Sequence, residues 1–179
     1  MWRTTLENNL VPWTITGAQL GDDALEIGPG PGLTTEILRR HVPQLTVLEL
    51  DPELADSLRA KTEWSNVRVV EGDATRMPFR DSSFSAAAAF TMLHHVPSPE
   101  LQDRLFAEAL RVLRPNGIFL GIDSRINWEM RFIHIFDTLV CIDPATLKMR
   151  LEAVGFEQVQ IECDDRRFRF RAMKPPLAA

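Results

Sequence analysis

Short apolar runs alternate with amphipathic stretches along the chain, and Gly, Pro or Asp marks most of the boundaries. The apolar run from Ala24 to Ile27 stops at Gly28-Pro29-Gly30-Pro31-Gly32, after which Leu33, Ile37 and Leu38 recur at helical spacing toward His41. Strand, turn and helix follow in that order. Leu45 to Leu50 reads as a second buried strand, and Asp51-Pro52-Glu53, a cap followed by a first-turn proline, opens a helix to Lys61. Val67 to Val70 and Phe84 to Phe90 predict two more strands. Leu101 to Leu113 predicts a long amphipathic helix, and Gly117 to Ile122 a fifth strand after a Pro115-Asn116-Gly117 turn. A last helix opens at Asp143-Pro144 and stops at Gly155; Phe156 to Ile161 and Phe168 to Met173 then alternate as two strands joined through Cys163 to Arg167. The pattern predicts an α/β fold: a Rossmann-like, doubly wound, mostly parallel seven-stranded sheet with a C-terminal antiparallel hairpin strand.

Two stretches do not fit the alternation. From Asp123 to Asp143 the chain crowds Trp128, Met130, Phe132, Ile133, His134, Ile135, Phe136 and Leu139 without a clean period, which predicts a substrate-cover segment over 123–143. Residues 1–20 leave little room before the first strand and are expected to supply N-terminal cover. Residues 1–179 form one domain in this reading, since the length suits one core and 45% hydrophobic residues suffice to fill it.

Charge and cysteine content narrow the function classes. Twenty Lys and Arg against 25 Asp and Glu leave a net charge of −5, without the basic surplus that phosphate backbones demand, so nucleic acid is not the expected partner. Cys141 and Cys163 are too few for a zinc site or a disulfide scaffold, no metal is expected, and a reducing cytoplasm fits best. No apolar run approaches the roughly 20 residues of a membrane span, and the N-terminus has no signal-peptide pattern. A homodimer is left open.

Chemistry concentrates around the glycines. Gly28, Gly30 and Gly32 remove side chains where a strand must turn sharply into a helix, so a ligand can lie on bare backbone beside a helix N-terminus. The spacing departs from the dinucleotide fingerprint, because Leu33 stands where its third glycine belongs; this argues against NAD. Glu49 lies 21 positions beyond Gly28, where a doubly wound fold places the carboxylate that takes ribose hydroxyls. Alone, an acid at a strand end is usually a loop charge, and Asp51 reads as the helix cap. The combination points to a nucleoside.

With Glu71-Gly72-Asp73-Ala74 after the third strand and Phe90-Thr91-Met92-Leu93-His94-His95 after the fourth, these residues resemble the class I S-adenosylmethionine-dependent methyltransferases from about Ala24 to Gly121. The resemblance implies S-adenosyl-L-methionine as cofactor. It implies that Glu26, Gly28, Pro29 and Gly30 hold the methionine part, with Phe90 near it, and that Glu49 holds the ribose. Leu50 would flank the adenine, Asp73 accept from its amino group and the Ala74 N–H meet a ring nitrogen. Leu110 to Gly117 resembles the family's helix-to-strand turn, with Asn116 where a second glycine is common. Ser85 departs from the pattern, since many members carry Asp there.

Methyl transfer from a sulfonium is an in-line displacement on an activated carbon, so positioning and water exclusion do most of the work and a base is optional. His94 and His95 are the catalytic candidates, because an imidazole titrates near neutrality and their loop opens toward the cofactor crevice; one packed under the sheet and the other hydrogen-bonded in a loop is the alternative. His134 is a weaker candidate. Trp2, Trp13 and Trp128 are more often core or rim residues than substrate stackers. The leading reading is a methyltransferase acting on a small apolar or aromatic molecule. An RNA adenine methyltransferase is the alternative, since residues 28–36 and 49–51 also resemble that group, yet Thr91-Met92-Leu93-His94 replaces its Asn-Leu-Pro-Tyr-like element and the chain has no tyrosine. Arg166, Arg167, Arg169 and Arg171 keep that alternative open, although the alternation places them on a solvent-facing strand face opposite Phe168 and Phe170. A non-catalytic, methyltransferase-like binding module is a third reading.

Overall fold

The computed structural model describes residues 5–61, 63–125 and 139–177. Seven strands form one sheet: β1 (Asp23–Ile27), β2 (Gln44–Glu49), β3 (Val67–Glu71), β4 (Phe84–Phe90), β5 (Leu113–Ser124), β6 (Glu157–Cys163) and β7 (Arg167–Met173), in the order β3-β2-β1-β4-β5-β7-β6. Neighbours among β1 to β5 pair in parallel, and β7 runs antiparallel to both β5 and β6. The winding direction reverses between β1 and β4, which opens a crevice beyond their carboxyl ends.

Among the described residues five α-helices cover the sheet: α1 (Val11–Ile15, preceded by a π turn, Leu6–Leu10), α2 (Leu33–Leu38), α3 (Pro52–Arg59), α4 (Pro99–Val112) and α5 (Pro144–Val154). Their starts follow local chemistry. The Asp51 carboxylate accepts from the Glu53 and Leu54 N–H groups, Ser98 Oγ from Leu101 N and the Asp143 carboxylate from Ala145 N, each with proline in the first turn. Alternation along the strands builds two cores. Leu25, Ile27, Ala87, Ala89, Phe119, Phe168 and Phe170 face α4 and α5 on one side; Ala24, Leu45, Val47, Ala86, Ala88, Phe90 and Leu120 face the N-terminal turn and α2 on the other. Among the described residues no helix is long and apolar enough to cross a membrane.

The middle of the sheet tolerates no extra atom at Gly121. A Cβ there would stand 2.3 Å from the Ala89 carbonyl oxygen and 2.7 Å from a Phe170 ring carbon. Gly121→Ala is expected to destabilise the fold by about 2–3 kcal/mol, the upper range for overpacking, read from the urea midpoint.

Several boundaries differ from the sequence reading. The first helix after the glycines ends at Leu38, not His41, and β2 ends at Glu49, leaving Leu50 68% exposed. The fifth strand begins at Leu113, directly after α4, because Pro115-Asn116-Gly117 forms a bulge within the strand rather than a turn before it. Phe84 pairs with Leu113 and Ala86 with Ile118, and Asn116 takes φ +62°, a conformation Asn tolerates. Ser85 serves the same end of the sheet: its hydroxyl accepts from Asp23 N and lies within donating distance of the Leu20 carbonyl, at 2.7 Å, and the Asp23 carbonyl, at 2.9 Å.

The arginine face of β7 is also corrected. Arg169 and Arg171 do not point into solvent: Arg169 lies over the Trp13 ring, 4.5 Å from its centroid, and donates to the Trp13 carbonyl. Arg171 donates to the carbonyls of Thr14 and Thr16, at 2.7 and 2.5 Å. The carbonyl end of α1 meets two guanidinium groups, a favourable pairing of charge and helix dipole. Phe168 and Phe170 are buried on the opposite face, as the alternation requires. Trp2 and the segment 126–138, with Trp128 and His134, lie outside the described residues.

Candidate functional site

The loop after β1 and the turn after β4 meet at the crevice. Gly28, Gly30 and Gly32 all have positive φ, at 62°, 54° and 82°. A Cβ on Gly30 would meet no atom within 4 Å, so the bare backbone faces open space. That space is two adjoining cavities. One, of about 320 Å³, is lined by Gly28, Gly30, Leu48, Glu49, Leu50, Leu54, Gly72, Asp73, Ala74, Met92 and His95 among others; the second, of about 190 Å³, by Leu6, Gly28, Pro29, Gly30, Leu33, Thr34, Phe90, Met92 and His95. Gly28, Gly30, Met92 and His95 belong to both walls.

Eight residues that the sequence singles out are therefore brought together: Gly28, Pro29, Gly30, Glu49, Leu50, Asp73, Ala74 and Phe90. His95 joins them. Glu49, 6% exposed at the end of β2, accepts from Gly30 N at 2.9 Å and from Asp51 N at 3.0 Å, so its carboxylate ties the glycine loop to the next strand. Asp73 Oδ1 accepts from Thr75 N at 2.7 Å, which holds the turn after β3.

Glu26 and His94 are placed differently. Glu26 lies behind the loop rather than on the cavity wall, accepting from the hydroxyls of Thr34 and Thr35 at the start of α2. Burial pushes its carboxyl up to about 7, with the nearby Glu49 charge adding to the rise and the two threonine donors opposing it. The folded protein thus retains a proton on Glu26 that the unfolded chain releases near 4.5. The stability this proton contributes is complete below 4.5 and is lost as the pH rises through about 7. Glu26→Gln is expected to flatten the fall in urea midpoint between about pH 5 and 8. An unchanged slope would show that Glu26 is not the responsible group.

His94 is buried, its Nδ1 2.5 Å from Asp123 Oδ1 and its backbone N–H donating to Asp123 Oδ2 at 3.1 Å. The sequence reading missed Asp123, which it took as the first residue of the cover segment. The signal was its place at the end of a strand adjacent to the one that carries the histidines; parallel neighbours bring their carboxyl ends together.

A family model described as a methyltransferase domain matches residues 25–121, more than half of the chain. The chain is 29% identical over 146 residues to 2-methyl-6-phytyl-1,4-hydroquinone methyltransferase 1 of Oryza sativa subsp. japonica, covering 79% of this chain and 43% of that protein. It is 46% identical over 59 residues to ribosomal RNA small subunit methyltransferase A of Acidithiobacillus ferrooxidans, covering 33% of this chain and 22% of that one. The chain thus spans less than half the length of these relatives. A SAM-dependent methyltransferase from Aquifex aeolicus has the same fold, with a TM-score of 0.76, 18% identity, and coverage of 96% of this chain and 93% of that one. By the family match and the glycine-loop fold together, the chain belongs to the class I S-adenosylmethionine-dependent methyltransferases.

Proposed function

We propose that this chain transfers a methyl group from S-adenosylmethionine to a small apolar or aromatic molecule. The observation that carries the reading is the pair of joined cavities: the larger is rimmed by carboxylates and bare backbone, and the smaller is walled by Leu6, Leu33, Phe90 and Met92. The first suits a nucleoside and the second an apolar acceptor. The hydroquinone methyltransferase of rice, named for an aromatic acceptor, supports the same substrate class.

The residues present fit the cofactor. Any side chain at Gly30 would fill the cradle, and Glu49 is a buried carboxylate on the wall about which ribose hydroxyls could bind. In this reading Glu49 takes the ribose, Asp73 and the Ala74 N–H take the adenine edge, and Leu50 and Leu48 cover its faces. Gly28, Pro29 and Gly30 offer main chain to the methionine part; Glu26 acts from behind by holding Thr34 and Thr35. When bound, the cofactor supplies a methyl group already activated by its sulfonium. The chain's task is to keep the acceptor atom in line with that methyl and exclude water, which Phe90, Met92 and Leu6 do.

The ribosomal RNA relatives favour a second acceptor class over a third of the chain. Against it stand the net charge of −5 and the engagement of Arg169 and Arg171 with α1. Incubation with methyl-labelled S-adenosylmethionine and a metabolite extract, beside the same reaction with total RNA, is expected to label small molecules. Label confined to RNA would overturn the proposed acceptor class, and no label in either would support a non-catalytic module.

A further inference from the structure

We propose that Asp123 is a positioning residue of this site: through His94 it sets the ring of His95 on the wall shared by the two cavities, where His95 meets the methyl acceptor. The proposal rests on the methyl-transfer reading above and divides the two histidines between distinct roles. His94 has 4% of its surface exposed and Asp123 1%, so neither reaches the acceptor. His95 is exposed and lines both cavities.

Asp123 holds the turn after β4 at two points, the ring and the backbone N–H of His94, while its Oδ1 also accepts from Ser124 N at 2.6 Å. A carboxylate facing Nδ1 keeps the proton of neutral His94 on that nitrogen. The same turn is gripped from behind. The His94 carbonyl accepts from Val140 N at 2.8 Å, and the buried Gln102 donates to the carbonyls of Leu93 and Val140. Fixed this way, the His94 ring forms the platform on which His95 lies, with ring centroids 4.2 Å apart and planes tilted by 40°. A rotation of His94 would therefore displace His95 from the cavity wall. Packing alone would not require a charged group here: a carboxylate buried at the end of β5 is costly unless its bonds specify a geometry.

The chemistry assigned to His95 is to accept the hydrogen bond of an acceptor O–H or N–H. As the acceptor–carbon bond forms, the carbon–sulfur bond breaks with its electron pair left on the sulfur. The acceptor's proton passes to the His95 imidazole and from there to water.

The test uses the full chain with ¹⁵N-labelled histidine and S-adenosylhomocysteine as the probe of the cofactor site. Long-range ¹H–¹⁵N spectra are expected to show neutral His94 protonated at Nδ1. Asp123→Ala should scramble that tautomer and move the His95 ring signals, while the Kd for S-adenosylhomocysteine stays within about threefold of the original. Asp123→Asn keeps an oxygen for the ring N–H; it should preserve the His94 tautomer and most of the His95 signal, and it decides the matter if the alanine variant does not fold. With an acceptor from the labelling experiment, Asp123→Ala and His95→Ala should each lower kcat by about tenfold or more at unchanged KM for S-adenosylmethionine, with Asp123→Asn closer to the original. Unmoved His95 signals in a folded Asp123→Ala protein would overturn the proposal, as would cofactor affinity falling in step with them. Failure to find any acceptor would instead count against methyl transfer, and the ring signals would still judge the positioning.

Discussion

Gly30→Val is expected to raise the Kd for S-adenosylmethionine by at least about a hundredfold, roughly 2.7 kcal/mol, while lowering stability by only about 1–3 kcal/mol. The two effects separate because they have different origins. Gly30 has φ +54°, a conformation a β-branched residue adopts only under strain, whereas the added Cβ itself would point into open space. The methyls of valine would project into the space both cavities share, where the cofactor's methionine end is proposed to lie. Calorimetric titration with S-adenosylhomocysteine and a urea melt of the same sample check the two halves. Retained affinity in the variant would place the cofactor elsewhere.

Glu49→Gln should weaken cofactor binding about tenfold to a hundredfold and cost the apo protein about 1 kcal/mol. The carboxylate has two backbone donors, Gly30 N and Asp51 N, one on each oxygen. An amide offers one oxygen, so its NH₂ must confront one of those N–H groups, and the glycine loop or the start of α3 loses a tether. In the proposed arrangement the ribose loses a charged partner in the same step. Titration of the folded variant decides it: an unchanged Kd would mean that Glu49 serves the loop alone.

The parts of the fold legible in the sequence were those with a local cause. Asp51 and Asp143 cap their helices through bonds made within three residues, and strand alternation separates Phe168 and Phe170 from their arginine neighbours. The strand start at Leu113 was not legible, because a proline reads as a turn until the neighbouring strand shows that the ladder resumes around a bulge. The same holds for Arg169 and Arg171, whose partners lie more than 150 residues away. In the site, the glycines and Glu49 belong to one βαβ unit and were visible together. Asp123 was not, since its pairing with His94 depends on β5 lying beside β4.

The bonds from β7 to α1 span nearly the full chain, and Leu6, just before α1, forms part of the smaller cavity's wall. Contacts of such separation carry a large loop-closure cost and form late. Most of the larger cavity is made by β1 to β4 and their loops, whose pairings are far more local. During synthesis the chain would thus assemble most of the larger cavity early, whereas the arginine bonds that hold α1, just after the Leu6 wall of the smaller cavity, could form only after β7 had been made and added to the sheet.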